Sequence, residues 1–159
     1  MTRIWMLPAA LAAAAALLVA LVGMTLTDLG AWYHGLDQPS WAPADPVYGA
    51  AWTIIFAMAA IAGVIAWSRS PDRRSAEILI GLFALNGFLN LLWSLLFFRL
   101  QRPDWAMAEL GLLWLSVAVL VSVCGRRSIA AGALLLPYLA WVTFAGRLNW
   151  EIVQLNGPF

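Results

Sequence analysis

Apolar residues run through this chain in five long blocks, with the charged residues gathered mostly between them. A helix needs roughly 20 apolar residues to cross the hydrocarbon of a bilayer. The blocks at about 4–26, 46–67, 76–98, 105–124 and 128–150 reach that length. The pattern predicts an all-α protein, a five-helix transmembrane bundle over residues 1–159 with a long structured loop between helices one and two. Pro46 suits a first helical turn because it has no N–H to satisfy. Glu77 falls in the first turn of helix three, and Ser128 is the expected N-cap of helix five. The first block follows Arg3 and is rich in small residues, as a signal peptide is. Its apolar run exceeds the roughly 7–15 residues of a signal-peptide core, so a retained helix is expected.

The second, third and fourth connections are short, which predicts antiparallel neighbours. The first is long, from about Thr27 to Asp45. It contains the stretch WYHGLDQPSWAPADPVYGAAW, Trp32 to Trp52, with the chain's one histidine, His34, and neither arginine nor lysine. Loops of this length are usually functional or disordered. Pro39, Pro43 and Pro46 restrict the backbone, and Trp32, Tyr33 and Trp41 need something to pack on, so order is expected. Arginine placement predicts sidedness. Arg3, Arg69, Arg73, Arg74, Arg126 and Arg127 fall on the side of the N-terminus, against Arg99, Arg102 and Arg147 on the other. A cytoplasmic N-terminus and an outward first loop follow.

Composition strengthens the membrane reading. The chain is 64% hydrophobic and 11% charged, against about 25% charged in soluble domains. A soluble protein of this length could not hide so much apolar surface, so an integral membrane protein is expected. A net charge of +1 suggests no nucleic-acid partner. Cys124 is the lone cysteine, which excludes an intrachain disulfide. The alanine-rich, lysine-free composition suggests a bacterial cell membrane, with the inner membrane favoured and the outer membrane as the alternative. Trp5, Trp67, Trp105 and Trp150 stand at helix ends, where tryptophan anchors a helix to the interface.

The remaining unusual residues converge. Asn86, Asn90 and Trp93 share one face of helix three by their spacing. Tyr138, Trp141 and Ala145 share a face of helix five, and Trp52 lies two turns into helix two. These positions fall at similar depth beneath the long loop. Asn86 and Asn90 have two readings, interhelical glue or the lining of a cavity. Pro137 should kink helix five and open space, or is simply tolerated there. Glu109, inside helix four, reads as snorkelling or water-facing more readily than as part of a relay. No metal cluster, phosphate loop or triad spacing is present. The predicted pocket is aromatic and largely apolar, with a few amides and a rigid cover, which suits a flat apolar ligand.

The stretch from Trp32 to Trp67, the segment NGFLNLLWSLLFF and the segment PYLAWVTFAGRLNWEIVQLN resemble the TspO/MBR family of tryptophan-rich sensory and translocator proteins. The resemblance covers Trp32 to Asn156. It implies a five-helix bundle, usually a homodimer, that binds porphyrins and haem, with cholesterol and synthetic ligands added in animal members. Trp32 and Tyr33 match the family's loop-one pair, and Pro39, Trp41 and Pro43 its KPxWxPP segment. Trp52, Asn90 and Trp141 match helix residues associated with the ligand cavity, and Ala145 the small residue beside it. Gln38 stands where lysine is usual, and Ala44 replaces a proline. Trp150 replaces the aromatic of the animal cholesterol motif, and no basic residue follows within five positions, so that motif is absent. Cholesterol is therefore not an expected partner.

The leading expectation is a membrane sensor or carrier for tetrapyrroles, protoporphyrin IX or haem, embedded in lipid and with no obligatory cofactor. The rivals are a light-dependent porphyrin-degrading enzyme, with Trp141 as its redox-active residue, and a scaffold or small drug-efflux subunit. The binding set is Trp32, Tyr33, Trp52, Asn86, Asn90, Trp93, Tyr138, Trp141 and Ala145. His34 is a candidate haem ligand, and a monomer with one histidine cannot give bis-histidine ligation. Ala59 and Gly63 on helix two offer a small-residue contact for a homodimer.

Overall fold

The structure, a computed structural model, describes residues 3–159, with side chains from Met6 onward. The side chains of Arg3 and Trp5, which entered the sidedness and anchoring arguments, lie outside the described residues. Five long helices and one single turn make up the fold: α1 (Arg3–Leu26), α2 (Ala31–His34), α3 (Asp45–Ser68), α4 (Arg73–Ser94), α5 (Pro103–Arg127) and α6 (Ile129–Asn156). All five long helices are long and apolar enough to span a membrane. No strand occurs among the described residues. The five-helix expectation holds, with shifted ends.

The shifts have local causes. Helix α4 starts at Arg73 rather than 76 because Asp72 caps it, accepting the Ser75 N–H at 2.7 Å. Its far end loosens into a π-helical turn, Leu95–Arg99, where the Leu100 N–H reaches the Leu95 carbonyl at 2.9 Å. Such widened turns are frequent at functional sites. Pro103, with no N–H to satisfy, opens α5. Helix α6 runs through Pro137 and continues to Asn156, beyond the apolar block, because its last turns pack on the long loop. Ser128 occupies the expected N-cap position of α6, but its side chain makes no capping bond.

The helices form a ring in which α1 packs on α3, α3 on α6, α6 on α5, α5 on α4 and α4 back on α1. The short second loop does not make α3 and α4 close neighbours. They meet sparingly, and the Phe83 ring of α4 lies where a Cβ on Gly63 would sit at 3.4 Å. Gly63 thus faces Phe83 of the same chain, and Ala59 packs against the core, so this pair is engaged inside the bundle. Leu7, Leu11, Leu17, Leu18 and Leu21 of α1 all point outward, as a lipid-facing helix requires. The main core lies between α3, α4, α5 and α6. A second cluster under the loop joins Tyr33 to Phe97, Ala106, Leu148 and Ile152.

Candidate functional site

Asparagine in hydrocarbon must find partners, because an unsatisfied amide there costs several kcal/mol. Asn86 is fully engaged across helices. Its Nδ2 donates to Ser116 Oγ of α5 at 2.8 Å, and its Oδ1 accepts from the Tyr138 hydroxyl of α6 at 3.0 Å. Of its two readings, interhelical glue is the one the geometry carries. Asn90, one turn nearer the loop, holds Tyr138 only loosely, with Nδ2 3.5 Å from the hydroxyl. Tyr138 is 2% exposed, so the three groups make a sealed polar knot at the bundle centre.

Aromatic rings surround that knot toward the loop. Trp52 stacks on Phe56 at 5.2 Å and meets Tyr138 edge-on at 5.9 Å. Trp141, three residues on from Tyr138, meets Tyr48 of α3 edge-on at 6.1 Å and Phe144 at 5.3 Å. Trp41 of the loop lies over Phe144 at 5.6 Å. Ala145 packs half-buried against the same core. The contact between the loop and the Trp141 cluster thus runs through Trp41 and Phe144, two aromatics outside the expected set.

Trp32 and Tyr33 lie elsewhere. Trp32 meets Phe97 edge-on at 5.9 Å, and Tyr33 meets Phe98 at 5.7 Å. Both partners sit on the π-helical turn, and Trp93 stacks on Phe97 at 5.1 Å. The Trp93 indole donates to Asn149 Oδ1 at 3.1 Å, and Asn149 Nδ2 donates to the Pro103 carbonyl at 2.8 Å. Asn149 therefore ties α4, α5 and α6 together. Its spacing from Trp141 and Ala145, at eight and four residues, was a readable signal. The nine expected residues form two adjoining groups, with Trp52, Asn86, Asn90, Tyr138, Trp141 and Ala145 on one side and Trp32, Tyr33 and Trp93 on the other. Tyr48 touches both clusters.

Two buried polar groups here make no hydrogen bond to any described residue. The Tyr48 hydroxyl, beside the Tyr33 phenol, is one, and the carboxylate of Glu109 is the other, with both oxygens unbonded. Glu109 is 5% exposed, so it is neither snorkelling nor facing water. In the loop, burial is the main cause raising the Tyr33 phenol above its ordinary value, and the charge of Asp45 adds to it. His34 is exposed, with Nε2 3.9 Å from Asp45. No cluster of metal-ligating side chains occurs among the described residues.

The sequence model of the TspO/MBR family matches residues 9–155, from α1 to the end of α6. The chain belongs to the TspO/MBR family. Tryptophan-rich protein TspO of Chlorobaculum tepidum is 37% identical over 142 residues, covering 88% of this chain and 90% of that protein. Protein CrtK of Rhodobacter capsulatus is 32% identical, covering 80% and 79%. The bovine translocator protein is 31% identical, covering 79% and 75%. With five apolar helices, membership of this family makes the chain an integral membrane protein of the TspO/MBR sensor and translocator type.

Proposed function

We propose that this TspO/MBR protein binds a tetrapyrrole, protoporphyrin or haem, between α3 and α6 beneath the long loop, and acts as a sensor or carrier. The observation that carries the reading is the convergence of Trp52, Tyr138, Tyr48 and Trp141 from two helices under Trp41 of the loop. A planar macrocycle is held best by ring faces, each worth roughly 0.5–1.5 kcal/mol beyond area burial. Asn90 and the unpartnered Tyr48 hydroxyl supply hydrogen bonds to a ring nitrogen or a propionate. The rings now pack on one another, so a ligand enters by parting Trp141 and Phe144 from Trp41. The half-buried state of Trp141 suits that movement.

His34 lies in the loop and is exposed, so the reading does not depend on axial ligation. Titration of the purified protein with protoporphyrin and with haem, followed by tryptophan fluorescence, tests the proposal. Saturable quenching by both ligands at one site per chain is expected. Linear, unsaturable quenching would contradict it.

A further inference from the structure

The two ends of the bundle differ in how their arginines are used. At the loop end every arginine is paired: Arg99 with Asp28 and the Thr25 carbonyl, Arg102 with Asp104, and Arg147 with Glu151. At the other end Arg73 pairs with Glu77, and Arg127 donates to Ser70 Oγ and the Ser75 carbonyl, both at 2.9 Å. Arg69, Arg74 and Arg126 have no carboxylate partner among the described residues. Of these, Arg69 and Arg126, with Arg127, line an open surface cleft of about 410 Å³ whose wall continues through Ser128, Ile129 and Ala130.

The cleft arises from a very tight hairpin. Helix α5 ends at Arg127 and α6 begins at Ile129, leaving Ser128 alone to turn the chain. A Cβ on Gly132 would sit 2.8 Å from the Gly125 Cα, so only glycine lets the two backbones approach this closely. The first α6 hydrogen bond runs from the Gly132 N–H to the Ser128 carbonyl at 3.0 Å. The N–H groups of Ile129, Ala130 and Ala131 therefore have no helical acceptor. Ser128 caps none of them, and its hydroxyl is buried without a partner among the described residues, in a residue only 5% exposed.

We propose that this cleft is a binding site for a phosphate group at the membrane interface. Free N–H groups and the dipole at the start of a 28-residue helix favour an anion. Guanidinium forks at Arg69 and Arg126 favour phosphate or carboxylate oxygens. The donors come from two helix ends, the hairpin residue and the α6 amides, which is a spread in three dimensions. Tetrahedral phosphate presents oxygens out of one plane, and carboxylate does not. The site stands where helices end, at headgroup depth, so the phosphate belongs to a phospholipid or to a soluble phosphate. The proposal does not rest on the tetrapyrrole reading.

Native mass spectrometry of the full chain from detergent containing equal parts phosphatidylglycerol and phosphatidylcholine tests it, with inorganic phosphate followed by calorimetry as a second arm. Wild-type protein should retain one phosphatidylglycerol per chain. Arg69→Gln with Arg126→Gln should weaken retention about tenfold or more, as expected for lost charge-assisted hydrogen bonds. Ser128→Ala should weaken it about threefold without changing charge. Arg74→Gln, exposed and outside the cleft, should change nothing, and unchanged melting temperatures confirm folding. Binding of inorganic phosphate with the same residue dependence, and no lipid retention, supports the site and assigns its source as a soluble phosphate. Equal losses in Arg74→Gln and the double variant, or no response to either probe, overturn the proposal.

Discussion

The side-chain amide of Asn156 holds the backbone of Asp37 from both directions. Its Oδ1 accepts the Asp37 N–H at 2.8 Å, and its Nδ2 donates to the Asp37 carbonyl at 2.9 Å. The end of α6 thereby fastens the middle of the long loop, 119 residues earlier in the chain. The Tyr33–Phe97–Ile152 cluster lies beneath the same loop. A loop with so many prolines has less entropy to lose on ordering, so two bonds and one cluster suffice to fix it.

Asn156→Ala should therefore loosen the loop while leaving the bundle intact. Two net hydrogen bonds amount to about 1–3 kcal/mol. Hydrogen exchange in the 31–45 segment should accelerate about tenfold or more, following that energy, with little change in α5. Unchanged exchange in the loop would remove the clamp from the account.

Tyr138→Phe removes the donor to Asn86 Oδ1 and the acceptor for Asn90 Nδ2. An unsatisfied buried group costs about 1–3 kcal/mol. Thermal melting in detergent should show a lower Tm for Tyr138→Phe than for wild type. An equal or higher Tm would mean that the knot adds nothing to stability.

Glu109→Met should act in the opposite direction. The native carboxylate is buried with both oxygens unpartnered, which is costly in a membrane interior. Methionine fills nearly the same volume with no polar atom. The variant should melt higher. A lower Tm would show that Glu109 has a partner in the membrane-embedded protein.

The sidedness inferred from arginine is tested by cysteine labelling in a Cys124→Ala background. Ser40→Cys lies in the long loop and Ser68→Cys at the far end of α3, and both positions are exposed. An impermeant reagent applied outside the cell should label position 40 and spare position 68. The reverse pattern would invert the topology.

The five spans were legible because apolar run length alone decides which segments can cross a bilayer. Their ends were less so. Asp72 capping α4 and the extension of α6 to Asn156 depend on side-chain bonds outside the apolar blocks. Helical spacing put Asn86, Asn90 and Trp93 on one face, yet it could not distribute them. Asn86 is used up by Ser116 and Tyr138, while Trp93 joins Phe97 and Asn149. Spacing could not foresee the π-helical turn that sets Phe97 and Phe98 against Trp32 and Tyr33. Nor could it show that Glu109 is sealed from water, because burial of a carboxylate depends on which helices pack over it.

The central claim is that the ligand is held by ring faces inside the bundle. Protoporphyrin titration of wild type, Trp141→Ala and His34→Ala, with the affinity read from porphyrin absorbance, tests it most directly. Losing one stacking face and its buried area should weaken Trp141→Ala about tenfold or more. His34→Ala should bind as wild type does. If His34→Ala abolishes binding and Trp141→Ala does not change it, the ligand sits on the loop surface and the account of the bundle site is contradicted.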